Sequence, residues 1–190
     1  MSNENVQSAM SPSGAQAMRS FTSRMLRAAK LDASLYDEVE SDRAAMGQAV
    51  SVIILSSIAS GIGGGAFTAP GILVMTLAAF AGWFLWAFLT FFIGTRFLPQ
   101  ENTRADYSKL LRTIGFASSP GLIRIFGIIP TLRSIVFFAA AAWMVIAMVV
   151  AVREALSYTS TMRAVAVVAI GWAIQFIVLI FIMGIASRMI

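Results

Sequence analysis

TIGFASSPGLIRIFGIIPTL, residues 113–132, is the stretch on which the fold turns. It holds 20 residues, one charge (Arg124), and prolines at 120 and 130. About 20 helical residues cross the roughly 30 Å hydrocarbon core of a bilayer. The stretch is therefore long enough to cross. Its prolines break a helix and its arginine is costly in lipid. Hydropathy leaves two readings. Either it crosses as a broken helix, with Arg124 against protein or snorkelling to a headgroup, or it lies in the interface or re-enters.

The flanking sequence is simpler. Residues 44–95 are 52 positions without a charge, too many for one crossing and enough for two. Gly63-Gly64-Gly65 and Pro70-Gly71 mark the break between them. The charge-free tracts 134–152 and 164–187 give one span each. The expected spans lie near 45–66, 72–95, 113–132, 134–152 and 164–187. Apolar residues make up 58% of the 190-residue chain and charged residues only 12%, about half the share of a soluble domain. A soluble core of this size cannot hide that much apolar surface.

The chain has no Cys and no His. Disulfide scaffolds, zinc, haem and iron–sulfur sites and histidine-based catalysis are excluded with them. No cofactor and no metal are expected. Asp37, Glu38, Glu40 and Asp42 fall within six residues, but their spacing is not that of a calcium loop. They read as a solvated or partner-facing helix surface.

Basic residues set the orientation. With five spans and the N-terminus inside, 11 of the 14 Lys and Arg lie inside. With four spans the split is 12 to 2. Both counts place the N-terminus in the cytoplasm. The net charge of +5 is then a topology signal, and nucleic acid is not an expected partner.

Residues 1–18 read as a disordered tail and 19–43 as a cytoplasmic amphipathic arm before the membrane domain, 44–190. In the arm, Phe21, Met25, Ala28, Leu35 and Val39 recur at helical spacing. Arg19, Arg24, Arg27 and Lys30 make a basic half suited to lipid headgroups. The acidic half should face water, a partner or the protein's own loop, where Arg104, Lys109 and Arg112 are candidate counter-charges.

Within the membrane, Ser57, Gly61 and Gly65 are four apart, a spacing that lets helices approach closely. Gly82, with Ala78 and Ala79, forms a second smooth strip in a span crowded with Phe and Trp. Gln48 and Gln175 are candidates for hydrogen bonds between helices. Arg124 is the candidate lipid or partner contact, with Arg153 and Glu154 at the end of the fourth span.

The chain resembles a bacterial member of the Yip family, the Ypt/Rab-interacting protein domain. The resemblance is carried by LYDEVESDRAAMGQA (35–49), SGIGGG (60–65), RTIGFASSPGLIRIFGIIP (112–130) and AAWMVIAMVVAVREALSYTSTMRA (141–164). It implies an all-α bundle of five transmembrane helices, the third short and broken, with the N-terminus cytoplasmic and the C-terminus on the far side. Eukaryotic relatives commonly carry an Asp-Leu-Tyr-Gly-Pro motif. The counterpart here is Ser34-Leu35-Tyr36-Asp37-Glu38, which adds Tyr36, Asp37 and Glu38 to the candidate contacts. The expected role is non-enzymatic: a protein of a bacterial inner membrane that assembles with itself or other membrane proteins and organises the bilayer. The alternative is a small transporter or channel component with Arg124 on its pathway.

Overall fold

The computed structural model describes residues 12–65, 68–100, 103 and 106–189, and every regular element among them is helical. Helix α1 runs Pro12–Ala29 and α2 Ala33–Ser41. Helix α3 is Ala45–Gly64 and α4 Ala69–Phe92, the latter ending in a π turn, Ile93–Phe97. Helix α5 is Tyr107–Ala117, followed by a 3-10 stretch, Ser119–Ile128. Helix α6 is Arg133–Ala155 and α7 Thr161–Met189. Residues 1–11 of the expected tail lie outside the described residues; α1 already begins at Pro12.

Among the described residues, four helices are long and apolar enough to cross a membrane: α3, α4 with its π turn, α6 and α7. The fifth spanning helix expected over 113–132 is not among them. Its first residues close the 11-residue α5, and the rest is 3-10 helix. The prolines explain the change. Pro120 has no N–H to donate and biases Ser119 away from the α conformation. Pro130 does the same to Ile129, which is extended (ψ 110°). Gly121 and Gly127 lower helix propensity between them. The chain is an all-α protein with four long apolar helices and not the five-helix bundle that the resemblance implied.

The seam along α3 shows what the segment does instead. Ala45, Ala49, Val52, Ser56, Ala59 and Gly63 are all buried, at alternating spacings of four and three. Three glycines of the following segment sit against that row. A side chain on Gly115 would meet Ala49, one on Gly121 would meet Ser56, and one on Gly127 would meet Phe137 and the Gly63 carbonyl. Gly63 in turn lies under the backbone carbonyl of Arg124. Residues 107–128 thus climb beside α3 as a return segment, packed between α3 and α6.

The mixed helix type fits the register. Seven α residues advance about 10.5 Å, whereas six residues advance about 9 Å as α and about 12 Å as 3-10 helix. Glycines six apart on the return segment match α3 positions seven apart only if part of the segment is 3-10.

Contacts gather at one end. Tyr158, after α6, shares its one hydroxyl proton between the carbonyls of Gly94 (2.9 Å) and Leu98 (2.8 Å) beyond α4. Arg163 of α7 donates to Pro99 O (2.7 Å). The start of α3 joins Leu35, Tyr36 and Val39 of α2, Phe116 and Ala117 of α5, and Ala147 and Ala151 of α6 in one core. We call this the arm end. At the far end, Gly65 closes α3 at φ +89°, a left-handed conformation that suits glycine. Arg133 there donates to Gly127 O (3.1 Å).

Candidate functional site

Two places bring the sequence's candidate residues together. The first is the docked arm. Between α1 and α2 the chain turns at Leu31 (φ 63°), and Asp32 caps α2 by accepting from Ser34 N. The turn folds the basic half of the arm onto its acidic half. Arg24 pairs with Glu38 (2.8 Å) and Asp42 (2.9 Å), and also donates to the Gln48 side chain (2.9 Å). Arg27 pairs with Asp32 (2.7 Å) and Glu38. Arg24 and Arg27 therefore face carboxylates and not headgroups. Gln48 serves the arm and not a helix contact within the membrane.

The arm is held to the bundle by α5. Lys109 pairs with Glu40 at 2.7 Å. Arg112, only 5% exposed, donates to the carbonyls of Val39 (2.9 Å) and Glu40. These are backbone acceptors, so the expected match of loop cations to acidic side chains holds for Lys109 alone. Arg104 lies outside the described residues. From α6, Trp143 donates its indole N–H to Ala29 O (2.8 Å). Tyr36 is fully buried, Asp37 is exposed, and Glu38 belongs to the ion-pair cluster.

The cluster predicts an acid-sensitive arm. The Ser34 hydroxyl, then Arg27, hold the Asp32 carboxyl at about 2. Hydrogen bonding from Arg27 likewise lowers Glu38. Carboxyls that ionise more readily when docked stabilise docking above their free value of about 4 and lose that contribution as pH falls through the docked value. Spin labels at Ser23→Cys on α1 and Asp37→Cys on α2, in a chain with no native Cys, should give one narrow distance from pH 7 to about 4. The distribution should broaden toward pH 2. A distribution unchanged at pH 2 would show that the ion pairs do not hold the arm.

The second place is a cavity of about 420 Å³ inside the bundle. Ser56, Ser57 and Ser60 of α3, Ser118, Gln175 of α7 and Arg124 supply its polar lining. Trp83 and Trp86 of α4, Trp172 of α7 and Met144 and Met148 of α6 supply much of the rest. Trp83 donates to Leu111 O (3.1 Å), but the buried Trp86 N–H has no partner. Arg124 Nε is likewise buried without one, and the guanidinium carbon stands 5.7 Å from the Phe137 ring centre.

The small residues named in the sequence distribute differently. Ser57 lines the cavity and bonds Ile53 O (2.7 Å). Gly61 has only Ile72 at ordinary contact distance (3.7 Å), and Gly82 faces open space on the cavity wall. Gly65 caps α3 near Arg133. Closest approach belongs to Gly63, which a spacing of four from Ser57 passes over. Its signal was the 4-3 alternation of small residues along α3. Arg153 and Glu154 stand 4.0 Å apart at the arm end, away from the cavity. On α4, Phe84, Phe88 and Phe92 are exposed on one stripe while Trp83 and Trp86 point inward. No group of three or more metal-ligating side chains lies among the described residues.

A family model matches most of the chain: the Yip1 domain, over residues 35–183. The match takes in most of α2, all of α3 to α6 with the 3-10 stretch, and most of α7. No curated protein and no solved structure matches the chain.

Proposed function

The chain belongs to the Yip1 domain family, and from that premise we propose that it organises the bilayer by assembling with itself and with other membrane proteins. It is a non-enzymatic integral membrane protein of helical build. The observation that carries the proposal is the extent of the match, which joins the docked α2 to the membrane helices as one unit. Outward apolar surface on α4 and α6 is available to lipid or to other helices. Phe84, Phe88, Phe92, Ile135 and Phe138 are all exposed there.

The arm end faces the cytoplasm in this reading. Arg24, Arg27, Lys30, Lys109, Arg112, Arg153 and Arg163 gather there, against Arg124 and Arg133 toward the far end. Ser34-Leu35-Tyr36-Asp37-Glu38, in place of Asp-Leu-Tyr-Gly-Pro, supports the bacterial branch, for which an inner membrane is the expected site. Tyr36 serves the fold, and exposed Asp37 and Arg153 are the contacts left for a cytoplasmic partner. A transport reading has the cavity in its favour, but one cation without a second ionisable group offers no relay.

Crosslinking in native membranes, followed by mass spectrometry, tests the assembly. Reproducible crosslinks to a second copy or to a defined set of membrane neighbours are expected. A monomer with no recurring neighbour would overturn the proposal.

A further inference from the structure

We propose that the bundle cavity binds an anionic amphiphile from the surrounding membrane, its head on Arg124 and its acyl chain running down α3. This goes beyond the assembly reading and does not rest on it. Among the described residues, Arg124 is the only charged one on the cavity wall, and no Asp or Glu lines it. An uncompensated cation is costly at membrane depth. Its side chain has no ion-pair partner among the described residues, and its buried Nε makes no hydrogen bond. The described residues supply no countercharge, and a ligand from the membrane would.

The depth profile selects an amphiphile over a simple ion. The Arg124 carbonyl packs on Gly63, one residue from the end of α3, so the cation sits toward one end of a membrane-crossing helix. From Ser60 to Ile53 the cavity follows α3 for about 10 Å toward the other end. Its lower wall is mostly apolar, with Ile53, Ile114, Met144 and Met148, and the Ser118 hydroxyl there is turned to Ile114 O. Gly82 leaves open space on the α4 side. The volume falls within the range of small-ligand pockets, which is about 300–1,000 Å³. Cation above and methionine below fit a carboxylate or phosphate head on an alkyl chain.

Three of the four tryptophans, Trp83, Trp86 and Trp172, line the cavity and provide the readout. The full chain in dodecyl maltoside is titrated with 9,10-dibromostearate, whose bromines quench indole emission. Saturable loss of more than half the emission is expected. The glycerol ester of the same acid, which has no charge, should quench with a midpoint about tenfold higher or more. Sodium phosphate should not displace the probe, whereas dioleoylphosphatidic acid should. Arg124→Gln should shift the midpoint like the neutral ester, and Arg124→Lys should restore most of the affinity. Gly82→Leu, which fills open space, should abolish saturable quenching while unfolding at the wild-type temperature. Equal midpoints for acid and neutral ester overturn the proposal, and that comparison needs no variant. So does displacement by phosphate alone, which would mark a site for free anions.

Discussion

Gly63→Val should unfold the packing between α3 and the return segment. A β-carbon at this position would overlap the Arg124 backbone carbonyl and crowd the Phe137 ring at 3.3 Å. A flexible side chain can yield, but a carbonyl within a short helix moves only with its neighbours. Overpacking a tight site costs about 1–3 kcal/mol and occasionally more. Because the obstacle is main chain, we place this substitution at about 3 kcal/mol or above. Two controls separate crowding from glycine chemistry. Gly61→Ala meets only Ile72 at 3.7 Å and should stay within about 1 kcal/mol of wild type. Gly47→Ala has nothing within 4 Å and should gain up to about 1 kcal/mol of helix propensity. Unfolding in mixed micelles with increasing denaturing detergent gives the order. Equal stability for Gly63→Val and Gly61→Ala would disprove the close approach.

Arg112→Met should release the arm. Arg112 is a buried cation whose guanidinium joins α5 to two successive carbonyls at the end of α2. Hydrogen bonds to a charged group contribute about 1.5–3 kcal/mol each. Losing both should weaken docking by about 3 kcal/mol, which multiplies the undocked population about a hundredfold. Trypsin then finds Arg24, Arg27 and Lys30 in an open segment, and cleavage at those sites should accelerate accordingly. Lys109→Met removes one partly exposed pair, Lys109–Glu40, and should cost no more than about 1 kcal/mol. If both variants are cut at the wild-type rate, Arg112 does not hold the arm.

These two residues also show how far sequence reading reaches. Four of the five expected spans correspond to α3, α4, α6 and α7, because long charge-free tracts have few other uses. The fifth went wrong at Pro120 and Pro130. Twenty apolar residues have the length of a span, but proline decides whether they keep the rise of an α-helix. The docking of α5 on α2 was half legible: the charges were visible, but their pairing was not. Pairing depends on a left-handed turn at Leu31, a residue type that seldom marks one. It also depends on contacts between residues 73 positions apart, such as Arg112 with Val39. Arg124 stood out as a cation among apolar residues, but its cavity needed five packed elements to exist.

The arm's attachment points also set an order of events in time. It is made before the membrane helices it docks on, yet Ala29 accepts its bond from Trp143, 114 residues later. At roughly 5–20 residues per second, synthesis of that interval takes about 6 to 23 s. Through that interval the core around Leu35, Tyr36 and Val39, fully buried in the finished protein, still lacks Ala147 and Ala151 of α6. Docking on α3 and α5 is therefore completed only when α6 arrives. A ribosome stalled before α6 holds a nascent chain whose arm lacks the Trp143 bond and the α6 side of its core. The closed clamp is in effect a receipt that the membrane domain has been completed.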